Sequence, residues 1–181
     1  MPNSNKGMAN RYGLNLKFYE YSASGVGETA AYELKFANEV GLEINGSTVW
    51  ATGGQNHANR IPFADPKTGV LTISTQLVDK ELLFIAAGGK VSAFTGNTIE
   101  FKNDQAAARP VFYKIEGETV WVDEDGVSHN ETITCYKASI QPSHKRTYNG
   151  SGDPQSIDII FDLSTDSDGN LVDFTIEEEA E

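Results

Sequence analysis

The chain alternates without a break from residue 157 to residue 163. Ile157, Ile159, Phe161 and Leu163 fall on one side of an extended backbone; Ser156, Asp158, Ile160 and Asp162 fall on the other. A period of two is the pattern of a strand with one face in a core and one in water. The same period recurs elsewhere. Leu14, Leu16, Phe18 and Glu20 alternate with Asn15, Lys17, Tyr19 and Tyr21. Val40, Leu42 and Ile44 alternate with Glu39, Gly41 and Glu43, and Leu71, Ile73 and Thr75 with Thr72, Ser74 and Gln76. Clean in-and-out alternation suits antiparallel sheets, whose second face can meet solvent.

Turn chemistry divides these segments. Asn45-Gly46 is a strong two-residue hairpin signal, so residues 48–51 are expected to return along the preceding strand. Residues 52–66, rich in Gly, Asn and Pro, read as a long loop, with a turn over Asp65-Pro66-Lys67-Thr68-Gly69. Residues 31–36 and 70–77 read as strands. Asp79 is a good N-cap for a helix over 80–87, which Gly88-Gly89 ends. A short strand is expected over 96–101, a linker over 104–109 with a helical turn at 106–108, and a hairpin around Glu116-Gly117-Glu118. A polar turn surrounds Asp125-Gly126 and a strand covers 132–140. Asp168-Gly169-Asn170 turns the chain into a return strand over 171–176. Roughly nine short strands and one helix predict a mainly-β fold, an antiparallel β-sandwich or barrel with one short flanking α-helix, long loops and an extended N-terminal arm. The expected division is an arm over 1–11, in which Gly7 and Asn10 disfavour regular structure, a single domain over 12–176, and an acidic tail over 177–181.

With 181 residues and 39% apolar content, the chain is sized for one domain with a real core. No apolar run is long enough to span a membrane, and the polar first ten residues read as no secretion signal. Charge is the most informative part of the composition. Acids outnumber bases 26 to 14, and residues 151–181 hold ten acids and no base. A protein that grips nucleic acid needs a basic patch to neutralise phosphates. Here the balance runs the other way, which suits either a solvated face or a surface that must not retain a polyanion.

No catalytic constellation emerges, and no cofactor or metal is expected. Gly25-Val26-Gly27-Glu28-Thr29-Ala30 fits a loose G-x-G-x-x-A, but a dinucleotide site also needs a parallel βαβ unit, so a loop is expected. Asp166-Ser167-Asp168-Gly169-Asn170 has its Gly fourth rather than sixth and reads as a turn, not a calcium loop. His57, His129 and His144 lack ligand spacing. Cys135, the only cysteine, sits in an expected strand as a buried thiol. Ser143-His144-Lys145-Arg146 is the one dense basic spot. Asn45, Asn130 and Asn149 begin sequons that read as turn residues.

Two stretches resemble a known family. Val70-Leu71-Thr72-Ile73-Ser74-Thr75-Gln76-Leu77 runs into Glu81-Leu82-Leu83 and Gly88-Gly89. Gly152-Asp153-Pro154-Gln155-Ser156-Ile157 leads to Phe161-Asp162-Leu163 and Asp168-Gly169-Asn170-Leu171-Val172. With Arg11-Tyr12-Gly13-Leu14 they resemble the major tail (tail tube) proteins of long-tailed bacteriophages, especially those of Gram-positive hosts. Residues 89–148 match nothing in that pattern. The resemblance implies a structural, non-enzymatic virion protein assembled in the bacterial cytoplasm. It implies six copies closed into a ring, rings stacked into a tube, and DNA passing through the lumen without specific binding. It also implies tape measure, tail terminator and distal tail proteins as partners. Joined to the alternation, it makes Glu39, Glu43, Asp158 and Asp162 candidates for the lumen wall. The tube of a contractile tail or bacteriocin is a related structural reading. From a different class, a monomeric β-sandwich binding module would use Trp50, Trp121, Tyr113 and Tyr136 as stacking platforms for a carbohydrate or cell-surface ligand.

Overall fold

The computed structural model describes residues 8–10, 13–22, 25–35, 37–53, 58–100, 110–141, 150 and 156–177. In chain order the elements are β1 (Met8–Asn10), β2 (Asn15–Ser22), β3 (Gly25–Val26), β4 (Tyr32–Leu34), β5 (Glu39–Asn45), β6 (Thr48–Gly53), β7 (Ala58–Ala64), β8 (Thr68–Thr75), α1 (Lys80–Ala86), β9 (Phe112–Asp123), β10 (Ser128–Ile140), β11 (Ile157–Ser164) and β12 (Val172–Ile176). The fold is mainly antiparallel β, with one short α-helix and a single 3-10 turn over Val91–Ala93 among the described residues. Ten strands form one sheet, ordered β3-β2-β9-β10-β11-β8-β5, with β1 also on β9, β12 on β10 and β4 on β2. Strands β6 and β7 pair only with each other.

The connection between β4 and β5 forces this sheet to curl. These strands lie at opposite ends of the order, yet only residues 35–38 separate them. The core records the curl. Phe18 on β2 and Phe161 on β11 are three strands apart, about 14 Å in a flat sheet, but their ring centroids are 5.9 Å apart. Phe18 also meets Tyr32 and Tyr113. Around them pack Leu16, Leu34, Leu71, Ile73, Ile115, Ile157, Ile159 and Leu163, all buried. Each such side chain contributes about 1.5–3 kcal/mol by leaving water. The strand over 157–163 alternates as its sequence dictates, with all four expected core residues buried.

Helix α1 covers one end of the curled sheet. Asp79 caps it as expected, its carboxylate accepting from the Leu82 N–H at 2.8 Å. Leu82 and Ile85 face inward with no exposure. Gly88, at φ +83, ends the helix in the left-handed conformation that glycine tolerates. The segment after it is tied down: the Tyr113 hydroxyl donates to the Gly89 carbonyl, and Lys90 Nζ to that of Tyr21.

Several local expectations are corrected. Residues 48–53 do not return along β5. Instead β5 pairs with β8 over seven positions, setting Val40 against Ile73 and Leu42 against Leu71. Pairing these apolar rows outweighs the Asn45-Gly46 turn signal. The expected 52–66 loop contains β7, which pairs with β6, and the Asp65 N–H bond to the Ser47 carbonyl closes the base of this hairpin. Glu116-Gly117-Glu118 is no turn but the middle of β9. Gly117 is small because Leu14 crosses it; a Cβ there would sit 2.5 Å from Leu14 Cδ2. Residues 171–176 do not reverse on β11. Strands β11 and β12 run in the same direction along β10, and residues 165–171 form an excursion between them. Opposite that excursion the register of β10 shifts between Cys135 and Ala138. Strands β1 and β2 follow each other along β9 in the same way, so Met8–Asn10 of the expected arm is strand. Residues 96–100 form no strand. Expectations for residues 1–7, 11–12, 101–109, 142–149, 151–155 and 178–181 fall outside the described residues.

Candidate functional site

Glu39, Glu43, Asp158 and Asp162 come together on one face. Strand β8 lies between β5 and β11, and its register sets Ser74 opposite both Glu39 and Asp158. Two residues along, Gly41, Thr72 and Ile160 align; two further, Glu43, Val70 and Asp162 align. The acids thus form two rows across three strands, on the side away from Leu42, Leu71 and Phe161. Within a row the backbones carrying the acids are about 10 Å apart. All four side chains are exposed. Asp162 Oδ1 accepts from Gln141 Nε2 at 2.7 Å, and Glu43 Oε1 from Asn45 Nδ2 at 2.8 Å. No lysine or arginine ion pair among the described residues neutralises any of them.

The same face changes character beyond β11. Lys137 on β10 stands over the Phe112 ring, its Nζ 4.4 Å from the centroid, and Lys114 on β9 over the Tyr19 ring at 5.7 Å. Lys114 pairs with Glu116 at 2.7 Å and Lys17 with Glu118 at 2.5 Å. Burial pushes the Glu116 carboxyl up, but bonds from Lys114 and Tyr19 together with nearby positive charge outweigh it, and the net shift is down. One half of the sheet surface is therefore open carboxylate, and the other is internally balanced charge and aromatic surface.

The remaining candidates resolve individually. Tyr113 is buried in the core, and burial, with the Glu20 charge, raises its hydroxyl. The Trp121 indole N–H is engaged by the buried Glu131 carboxylate. Tyr136 is half-buried, its hydroxyl donating to Asp173 at 2.6 Å. These three do not form a row of free stacking platforms; the side chain of Trp50 lies outside the described set. The G-x-G-x-x-A segment begins with β3, a two-residue strand turned back on β2, and leads to β4 rather than a helix. Asp166 spends its carboxylate on its own loop, accepting from the N–H groups of Asp168 and Asn170. Among the described residues no cluster of three His, Cys, Asp or Glu could hold a metal ion. His129 lies 3.5 Å from Asp123, while His57 and His144 fall outside the described residues. Cys135 is buried, which pushes its thiol up to about 12.

Sequence reasoning missed a second surface. Beyond the curled body, β1, β9, β10 and β12 continue as a four-stranded blade. Ile133 pairs with Phe174 and Glu131 with Ile176, on the face that carries Cys135 into the core. Phe174 is nevertheless 53% exposed and Ile176 41%. Nearby, Leu14, Val40, Leu42, Ile133, Cys135 and Phe174 help to line an apolar cavity of about 170 Å³. The only sequence signal was the spacing of Phe174 and Ile176, which read as an ordinary strand.

No protein-family model matches the chain. No curated protein matches it. Among solved structures, the chain is similar to one described as the anti-feeding prophage cap (AFP tube terminating cap). The identity is 14%, the TM-score 0.47, and the coverage 98% of this chain and 100% of that one. A likeness at this level carries no argument about function.

Proposed function

We propose that the chain is a structural, non-enzymatic subunit of a bacteriophage tail tube, closing into hexameric rings that stack around a DNA conduit. The observation that carries this reading is the double row of exposed carboxylates on one sheet face, bounded by β5, the last strand in the order of the described sheet. A wall of this kind repels phosphate and lets a polyanion slide. Among the described residues β4 and β5 each have one edge with no strand paired to it, which supports self-association, because an unpaired edge offers a ready template for another strand. The motif resemblance over 70–89 and 152–172 supplies the family. On this reading Glu39, Glu43, Asp158 and Asp162 line the lumen, no cofactor is needed, and the partners are further copies and the other tail proteins of the virion.

Two experiments test the reading. Negative-stain microscopy of the concentrated protein is expected to show rings or tubes; a monomer that persists in sedimentation across several buffers overturns it. Asp158→Lys with Asp162→Lys is expected to leave rings folded, since both side chains face water, and to slow DNA ejection. Normal ejection from fully assembled double-mutant tails would move the acidic face to the outside.

A further inference from the structure

We infer that the apolar cavity at the open end of the curled sheet is a binding site for a small, uncharged ring compound, about the size of benzene, that makes no hydrogen bonds. This goes beyond the tube reading and does not rest on it, because every wall of the cavity belongs to one chain.

The cavity is an internal feature of the sheet rather than a dent in its surface. Its lining comes from six strands, β2, β5, β8, β9, β10 and β12. One end is deep: Leu16, Leu71, Ile115 and Cys135 are each at most 3% exposed. The other end meets water at Phe174, which is 53% exposed. Small-molecule sites favour this position, the mouth of a closed or curled sheet. The walls are held apart by their own ladders. Strand β5 is fixed on β8 over seven positions, and β9 on β10 along the blade. Cys135 stands where β10 takes up one extra residue before Ala138, and such bulges recur at barrel rims and beside binding sites.

The lining sets the chemistry of the occupant. No side chain in it carries a nitrogen or an oxygen. The thiol of Cys135 is its one heteroatom, and burial pushes that group up to about 12, so it stays uncharged. A water molecule needs two to four polar partners to be held inside a protein, and the side chains here supply none. A peptide segment would have to leave backbone amides unmatched against the same wall. An apolar ring has nothing to leave unmatched. The volume, about 170 Å³, sets its size. A dry cavity of about 150 Å³ lined by Leu, Ile and Phe takes up benzene.

Benzene titrated into the full-length protein is the test, followed by thermal melting and by methyl NMR. A saturable rise in melting temperature is expected, with shift changes confined to the methyls of Leu16, Leu42, Leu71 and Ile133. No rise, or changes centred on the exposed Leu77 at the helix end, would overturn the site. Ile133→Phe fills the cavity from one wall and Leu42→Phe from another, so the test survives if one of them does not fold. Each is expected to weaken benzene binding roughly tenfold or more, whereas Leu77→Ala leaves it unchanged. Binding that neither filling variant weakens would overturn the site. Pyrazine has the shape of benzene but carries acceptors at opposite ends, one of which must face the dry end. It is expected to bind much more weakly, and equal binding would overturn the ligand class.

Discussion

The two ends of the curled sheet are built from the same strands and finish differently. At the helix end, Leu82 and Ile85 fill the opening, and the hydroxyls of Tyr32 and Tyr113 are bonded to Asp79 and the Gly89 carbonyl. At the other end, strands β9 and β10 run on past the body, and the face that should be core carries Phe174 and Ile176 half in water. An apolar residue at an inward position is buried only if another layer arrives above it. The helix is that layer at one end. Nothing in the described part of a single chain supplies it at the other.

The sharpest way to break this comparison is a matched pair of truncations on the collinear strands. Phe161→Ala is expected to cost about 3–5 kcal/mol, because its ring has no exposure and touches Phe18. Phe174→Ala in dilute protein is expected to stay within about 0.5 kcal/mol, as for a surface site. Urea denaturation of both variants decides, and equal losses would erase the distinction between the ends.

High pH probes the closed end next. Burial raises the hydroxyls of Tyr32 and Tyr113 above the ordinary 10.0, aided at Tyr32 by the bonded Asp79 and at Tyr113 by the Glu20 charge. Below pH 10 both states keep these protons, and the contribution is fully present. Above it the unfolded chain ionises first, so stability falls by about 1.4 kcal/mol per pH unit for each tyrosine until the folded group titrates. Urea midpoints between pH 9 and 11 should show this slope, and Tyr113→Phe should reduce it. An unchanged slope in that variant would place the titration elsewhere.

Asp79→Ala removes both the α1 cap and the acceptor for Tyr32. A loss of about 1–2 kcal/mol is expected by thermal unfolding. A loss much smaller than this would mean that α1 covers its end through apolar contact alone.

The smallest effect belongs to the balanced half of the sheet surface. The folded Glu116 carboxyl lies below its ordinary 4.5, the Lys114 and Tyr19 bonds outweighing the cost of burial. Its contribution is present above pH 4.5 and is lost as pH falls through the folded value. Glu116→Gln should therefore cost a few tenths of a kcal/mol at pH 7 and progressively less as the pH falls below 4.5. A loss independent of pH would show that the side chain acts by packing rather than by charge.

The sequence alone determined what local physics determines. Strict alternation made residues 157–163 a strand with a known inner face. Asp79 and Gly88-Gly89 bounded the helix, and Asp125-Gly126 marked a real turn, Gly126 sitting at φ +82. The outward sides of Glu39, Glu43, Asp158 and Asp162 followed from the same period. That these four acids form two aligned rows did not follow, because it depends on β8 lying between β5 and β11. Only the tertiary structure decided partners. Val40 and Leu42 gain more by pairing with Ile73 and Leu71 than a short turn signal can offset, so the chain bypasses Asn45-Gly46 and sends out β6 and β7 as a separate ribbon. Gly117 looked like a turn residue because a sequence cannot show that Leu14 crosses that point of β9. Phe161 and Phe174 read alike in the sequence, because period two fixes which face a side chain points to and says nothing of whether another layer covers that face.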